Sequence, residues 1–131
     1  MQLNLDAQTA GDHIRSVGEH AIILASGTRD HSFVIAAGVD TFVWSVNDVT
    51  ALTPADCEPL FALQPAVMIL GTGTNQRFPS REVLAAFLTR RIGIEVMNNA
   101  AAARTYNVLL GEGRKVAAGF ILPKTEATAS G

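Results

Sequence analysis

A mixed α/β fold in a single domain is what this sequence predicts, and three observations carry the prediction. From Pro65 to Ala103 the chain reads PAVMILGTGTNQRFPSREVLAAFLTRRIGIEVMNNAAAA: apolar strand, Gly-rich loop, helix, second apolar strand and an Asn-Asn helix start. Before it come short β-branched runs separated by turn residues, the pattern of an antiparallel meander. With 48% hydrophobic against 17% charged residues in 131, the chain has a core to bury. The expected architecture is an N-terminal antiparallel meander plus a βαβ-like unit with helices packed on the sheet. Residues 1–131 are read as one domain, with an ordered core over about 12–123 and a flexible tail over 124–131.

Taken in order, residues 1–13 are mostly polar and predict a loosely held arm in which Leu3 and Leu5 are strand-pairing positions. Ile14 to Val17 reads as a strand turned by Gly18-Glu19, and Ala21 to Ala25 as a more buried one closed by Ser26-Gly27. His31 to Ala37 and Thr41 to Val46 follow as strands, favoured by β-branched and aromatic content. Thr53 as N-cap and Pro54 at the first helical position open a helix that Pro59 keeps short or irregular. Ala66 to Leu70 is the next strand.

Ser80 caps a helix whose apolar stripe is Val83, Leu84, Phe87, Leu88 and Ile92, closed by Gly93. Ile94 to Met97 is its partner strand, and a crossover of this length implies a parallel pair. Asn98 or Asn99 then caps a helix with Ala102, Tyr106, Leu109 and Leu110 on its apolar face. Arg104, Asn107 and Gly111 lie along another face. Val116 to Leu122 is the last strand, stopped by Pro123.

The bulk properties exclude several function classes. A net charge of −2 and a pI near 5.8 give no general basic field, so nucleic acid is not expected as a partner. The one cysteine, Cys57, rules out an intrachain disulfide and fits a reducing compartment. No secretory signal opens the sequence, and no apolar run approaches the roughly 20 residues a membrane span needs. A cytoplasmic protein without membrane insertion is expected. Its apolar content favours a protein partner, and an exposed strand edge allows either a monomer or a homodimer.

Candidate chemistry gathers at one rim. Gly71-Thr72-Gly73-Thr74 follows a strand, but Gln76 stands where a dinucleotide fingerprint has its third glycine. Glu95 sits near the start of its strand rather than its end, and no Lys-Ser/Thr completes a P-loop. A tight turn is the plainer reading. Parallel strands would nevertheless place the exits after Leu70 and Met97 on one edge. There Gly71, Thr72 and Gly73 would meet the helix starts at Ser80 and at Asn98 and Asn99, with Arg77 and Arg104 approaching. Such a crevice suits a small anion, phosphate or carboxylate. The alternative is that Arg77 only braces its own loop and Arg104 its own helix.

Elsewhere the residues read as structural. Cys57 lies between Asp56 and Glu58, which raise a thiol's pKa. His13, His20 and His31 lack metal-ligand spacing, so no metal or other cofactor is expected. Ser80 is a cap rather than a nucleophile. Tyr106 belongs to the core, its hydroxyl reaching one buried partner. Arg90-Arg91 complements a helix dipole. No catalytic residue is assigned.

The words ILGTG, RFPS, GIEVM and ARTYNVLLGEGRKVAAG, in this order and spacing, resemble a known family. It is the family of small conserved domains of unknown function that includes mitochondrial complex I assembly factor three and the adipogenesis-associated Mth-domain protein. The resemblance implies the Mth-type α/β fold and no established enzyme activity. The chain departs from the family pattern at Asn98-Asn99, where an acidic residue and a threonine are usual, and at His20. Together these readings point to a non-catalytic protein-binding or assembly-factor-like module. The alternative is a small-ligand or anion-binding protein or enzyme using the crevice at the ends of strands 66–70 and 94–97.

Overall fold

Period-two patterning in the first third of the chain yields five short strands, and they divide between two sheets. In the computed structural model, which describes residues 12–124, β1 (Ile14–Val17), β2 (Ile22–Leu24) and β3 (Gly27–Arg29) form a small antiparallel sheet in that order. Strand β3 is absent from the sequence reading. Ser26-Gly27, read there as a closing turn, instead sends the chain straight back, with Gly27 at φ 137°. β4 (Phe33–Ala36) and β5 (Val39–Val43) make a hairpin that belongs elsewhere. The expected arm up to residue 11 and the tail from 125 lie outside the described residues.

The hairpin joins β6 (Val67–Gly71), β7 (Gly93–Met97) and β8 (Val116–Phe120) in a five-stranded mixed sheet of order β5-β4-β8-β6-β7. The two strands expected to be parallel are so, with Val67 opposite Gly93 and Gly71 opposite Met97. β8 also runs parallel to β6, while β4 lies antiparallel to β8.

The helices start where side-chain caps are available. Thr53 accepts from the Asp56 N–H while Asp56 accepts from the Thr53 N–H, a capping box that opens the 3-10 turn Pro54–Cys57. α1 (Glu58–Leu63) continues it, with Pro59 in the first turn where its missing N–H costs nothing. α2 (Arg81–Thr89) is capped by Ser80, whose Oγ accepts from the Val83 N–H at 3.2 Å. α3 (Asn99–Gly111) is capped by Asn98, leaving Asn99 free for another role.

Successive residues on β4, β6 and β8 face opposite sides of the sheet, and both sides are covered. Met68, Leu70, Val34 and Ala117 pack with Leu60 and Phe61 of α1, Val83 and Phe87 of α2, and Trp44. Ile69, Phe33, Ile35 and Phe120 pack instead with Ala102 and Tyr106 of α3 and with Ile22 and Leu24 of the small sheet. Burial on both faces is why β6 and β8 read as near-continuous apolar runs. The small sheet is stitched to α3 by one amide. Asn107 accepts from the Ile14 N–H at 3.0 Å and donates to the Ile14 carbonyl at 2.8 Å, taking a neighbouring strand's place at the β1 bulge.

Two expectations need correction. Leu88 is 65% exposed rather than in the core, because α2 buries only the narrow stripe of Val83 and Phe87, and the next residue turns away by about 100°. The Tyr106 hydroxyl is buried without a hydrogen-bond partner among the described residues, since α3 seats the ring among apolar side chains. Burial, followed by the nearby Asp12 charge, pushes that phenol's pKa upward.

The tightest packing is between β8 and Trp44. A Cβ on Gly119 would sit 2.7 Å from the Trp44 ring, whose Nε1 donates to the Asp56 carbonyl at 2.9 Å. Gly119→Ala should therefore lower the urea-unfolding free energy by about 1–3 kcal/mol. Gly111→Ala has open space around it and should match wild type or exceed it by about 0.5 kcal/mol.

Candidate functional site

The rim where β6, β7 and β8 end is built around a missing side chain. A Cβ at Gly71 would collide with the Asn99 Oδ1 and would lie 3.0 Å from the Phe120 ring and 3.3 Å from the Ala102 Cβ. Into that notch goes the Asn99 amide, 3% exposed. Its Oδ1 accepts from the Gly73 N–H at 3.0 Å and its Nδ2 donates to the Ile121 carbonyl at 3.1 Å. The Asn99 N–H donates to the Gly73 carbonyl at 2.8 Å, and the Ile121 N–H to the Gly71 carbonyl at 2.9 Å. One residue thus ties the loop after β6, the start of α3 and the end of β8 together.

The loop is braced from within as well. The Thr72 N–H donates to the Met97 carbonyl at 3.0 Å. Thr72 Oγ1 donates to the Asn75 carbonyl at 2.7 Å and accepts from the Arg77 N–H at 3.0 Å. Gln76 Nε2 donates to the Val96 carbonyl at 3.0 Å, capping the edge strand β7. Gly73, at φ 101°, takes a conformation that L side chains resist.

In front of the loop lies a cleft of about 330 Å³. Thr72, Gly73 and Arg77 line it together with Thr74, Asn75, Glu19, His20, Asn47 and Asp48. Asp48 accepts from the Thr50 hydroxyl at 2.7 Å and the Thr50 N–H at 2.9 Å. Those bonds, with Arg77 as a smaller influence, hold its carboxyl below the ordinary range. The electrostatics are therefore mixed, an arginine facing two acids rather than a purely cationic pocket.

Three of the eight residues singled out from sequence, Thr72, Gly73 and Arg77, come together in this cleft. Gly71, Asn98 and Asn99 stand behind it, where Asn98 accepts from the Ala101 N–H at 2.8 Å. Ser80 caps α2, and Arg104 is exposed on α3 away from the cleft lining. The N–H groups of Thr72, Gly73 and Arg77 already have partners inside the protein, so an anion would meet the Arg77 side chain rather than a ring of free amides. Sequence reasoning did not assign Glu19, Asn47 or Asp48 to a site. They arrive from the β1–β2 turn and from the segment after β5, and no local spacing announces that.

Cys57 is buried, and burial first, then Asp56 and Glu58, pushes its thiol up to about 12. Among the described residues no group of three or more His, Cys, Asp or Glu side chains is placed to hold a metal ion. No helix among them is long and apolar enough to cross a membrane.

Removing the Asn99 amide strands the buried Ile121 carbonyl and the partly buried Gly73 N–H, the former worth about 1–3 kcal/mol and the latter less. Asn99→Ala should cost roughly 2–4 kcal/mol in chemical denaturation. Amide exchange at Gly73 should accelerate more than exchange in the small sheet.

Comparison with known proteins places the chain. It shares 43% identity and a TM-score of 0.78 with the solution structure of Xanthomonas campestris XCC1710, over 86% of this chain and 85% of that one. It is 25% identical to the 13 kDa major membrane protein of Francisella tularensis, over 72% of this chain and 77% of that protein. It is 31% identical to mouse NADH dehydrogenase [ubiquinone] 1 alpha subcomplex assembly factor 3 over 63% of its own length, but spans only 46% of that protein. The model of the family described as "Protein of unknown function (DUF498/DUF598)" matches residues 14–121, so the chain belongs to that family.

Proposed function

We propose that the protein is a non-catalytic protein-binding module of the assembly-factor kind, working in the cytoplasm and engaging its partner at the rim formed by the Thr72–Pro79 loop. Phe78 carries this reading. It is 62% exposed on a loop otherwise pinned through Thr72, Gly73 and Gln76, with Pro79 buried beside it. Four other phenylalanines, Phe33, Phe61, Phe87 and Phe120, are at most 7% exposed. An aromatic ring on a pinned backbone has less entropy to lose on docking than one on a free loop, which suits an interface anchor. The similarity to a mouse complex I assembly factor supports the same class of activity, and a buried free cysteine suits a reducing compartment.

A second reading keeps the cleft as a site for a small carboxylate or phosphate, or as an enzyme's pocket, with Thr72, Gly73 and Arg77 in its wall and Gly71, Asn98 and Asn99 behind them, and without Ser80 and Arg104. The side chain of Arg77 in the cleft wall favours it. Asp48 and Glu19 in the same wall oppose a simple anion.

Two experiments separate the readings. Phe78→Ser should leave the unfolding midpoint within error of wild type, yet remove the partner that wild-type protein captures from extracts of its own cells. Capture unchanged by this substitution would defeat the docking proposal. Titration with millimolar phosphate or acetate, followed by amide NMR, should leave Gly73, Arg77 and Asn99 unmoved on the docking reading and shift them on the ligand reading.

A further inference from the structure

The opposite rim of the sheet has a chemistry of its own. α1 leads into β6, α2 into β7 and α3 into β8, and those three strands are mutually parallel and in register, Gly93 and Val116 both lying opposite Val67. The three strand entrances therefore share one edge, with neighbouring strands about 4.8 Å apart. Basic residues stand at two of them: Arg90 and Arg91 before β7, Arg114 and Lys115 before β8. All four are exposed. The Lys115 carbonyl accepts from the Ala66 N–H at 2.8 Å, which fixes this pair beside the entrance to β6.

None of the four cations is in a direct ion pair among the described residues. Among the described residues the one ion pair within 4.0 Å joins His20 and Glu19, at the far rim. Glu112 stands two residues before Arg114, and Glu95 is two residues along β7 from its start. Neither comes within 4.0 Å of the four cations. The C-terminal ends of three helices contribute partial negative charge of about 0.5 each at most, less for the short α1, so they offset only part of four full charges.

The shape is also specific. Phe61, Gln64, Pro65, Arg90, Arg91 and Ile92 line a cleft of about 420 Å³. The Arg90 guanidinium is stacked 4.0 Å above the Phe61 ring and donates to the Ala86 carbonyl, which holds it in place. Gln64 and Arg91 both have left-handed backbones, at φ 48° and 59°, in helix-ending positions that glycine usually fills. Arg91 thus keeps a charged side chain at the cleft where glycine would be the easier residue. An ordered planar guanidinium beside a second cation matches a carboxylate, and two arginines lining a concave slot, with Arg114 and Lys115 outside it on the same rim, suit a chain's side groups better than a flat lipid surface.

We infer that this rim is a second docking surface, one that takes a glutamate- or aspartate-rich segment of a protein partner, with carboxylates seated between Arg90, Arg91, Arg114 and Lys115. It lies at the opposite edge of the sheet from Phe78 and does not depend on that contact.

The test uses a fluorescein-labelled oligoglutamate peptide and the full chain in anisotropy titrations. Affinity should fall about tenfold or more between roughly 50 and 300 mM salt. The double variant Arg91→Gly, Arg114→Gln should weaken binding about tenfold, whereas Arg15→Gln on β1 should leave it unchanged. Arg91→Gly places the preferred residue in a left-handed helix end, so a folding defect is not the expected cause of any loss. Amide shifts should concentrate at Arg90–Ile92 and Arg114–Val116. Absence of binding at millimolar peptide would overturn the inference, as would equal losses in the Arg15 variant. So would flotation with phosphatidylcholine vesicles containing about 30% phosphatidylserine, lost in the double variant while the peptide fails to bind, since that outcome names a membrane surface instead. Phe78→Ser should not alter peptide binding, which keeps the fate of this rim separate from that of the first.

Discussion

The seat of the Asn99 amide against Gly71 is the constraint on which the rest of the upper rim depends. A parallel sheet leaves its strand ends and helix starts close in space but unjoined, each with backbone groups that need partners. Asn99 meets the Gly73 N–H and the Ile121 carbonyl with one side chain, and its own N–H closes the circuit through the Gly73 carbonyl. This works only because β6 ends in a residue without a Cβ, so that the amide can lie where a methyl group would otherwise be. A buried amide with both ends bonded fixes one arrangement, since any shift of α3 would strand a donor or an acceptor.

The other face of the sheet repeats the device with an aromatic ring. Leu70 and Gly119 lie opposite each other on β6 and β8, as do Gly71 and Phe120. Because side chains alternate, the missing Cβ atoms open on opposite sides: Gly71 toward α3, Gly119 toward Trp44. Trp44 fills the second notch and holds the 3-10 turn through the Asp56 carbonyl. Two adjacent glycine positions thus let the two covering layers approach the central sheet closely.

What could be read from the chain beforehand follows the range of the interactions involved. Ser80, Asn98, Thr53 and Pro54 act within one helical turn, and their caps are where local spacing puts them. The β6–β7 pair was legible because a helix of that length between two apolar strands leaves little other geometry. Strand β3 was not, since Gly27-Thr28-Arg29 has no apolar alternation and owes its structure to β2. The division of the meander between two sheets was hidden too, because β4 chooses β8, far along the chain. At the cleft, Thr72, Gly73 and Arg77 lie in one loop, while Glu19 and Asp48 come from distant segments that only the folded sheet assembles. Asn99 opens α3, as its place in the sequence suggests, and its further role as a cross-brace depends on Ile121 and so on a third strand.

The unlike chemistry of the two rims is a consequence of topology rather than of overall composition. Each helix precedes the strand it feeds, so helix C-termini gather where the parallel strands begin, and residues favoured there are cations. α2 and α3 begin at the other end, beside the loops that carry Thr72, Arg77 and Phe78. A net charge of −2 says nothing of where Arg90, Arg91, Arg114 and Lys115 gather, because it sums over the whole chain. A small domain so arranged exposes Phe78 at one edge and Arg90, Arg91, Arg114 and Lys115 at the other, with the five-stranded sheet between them.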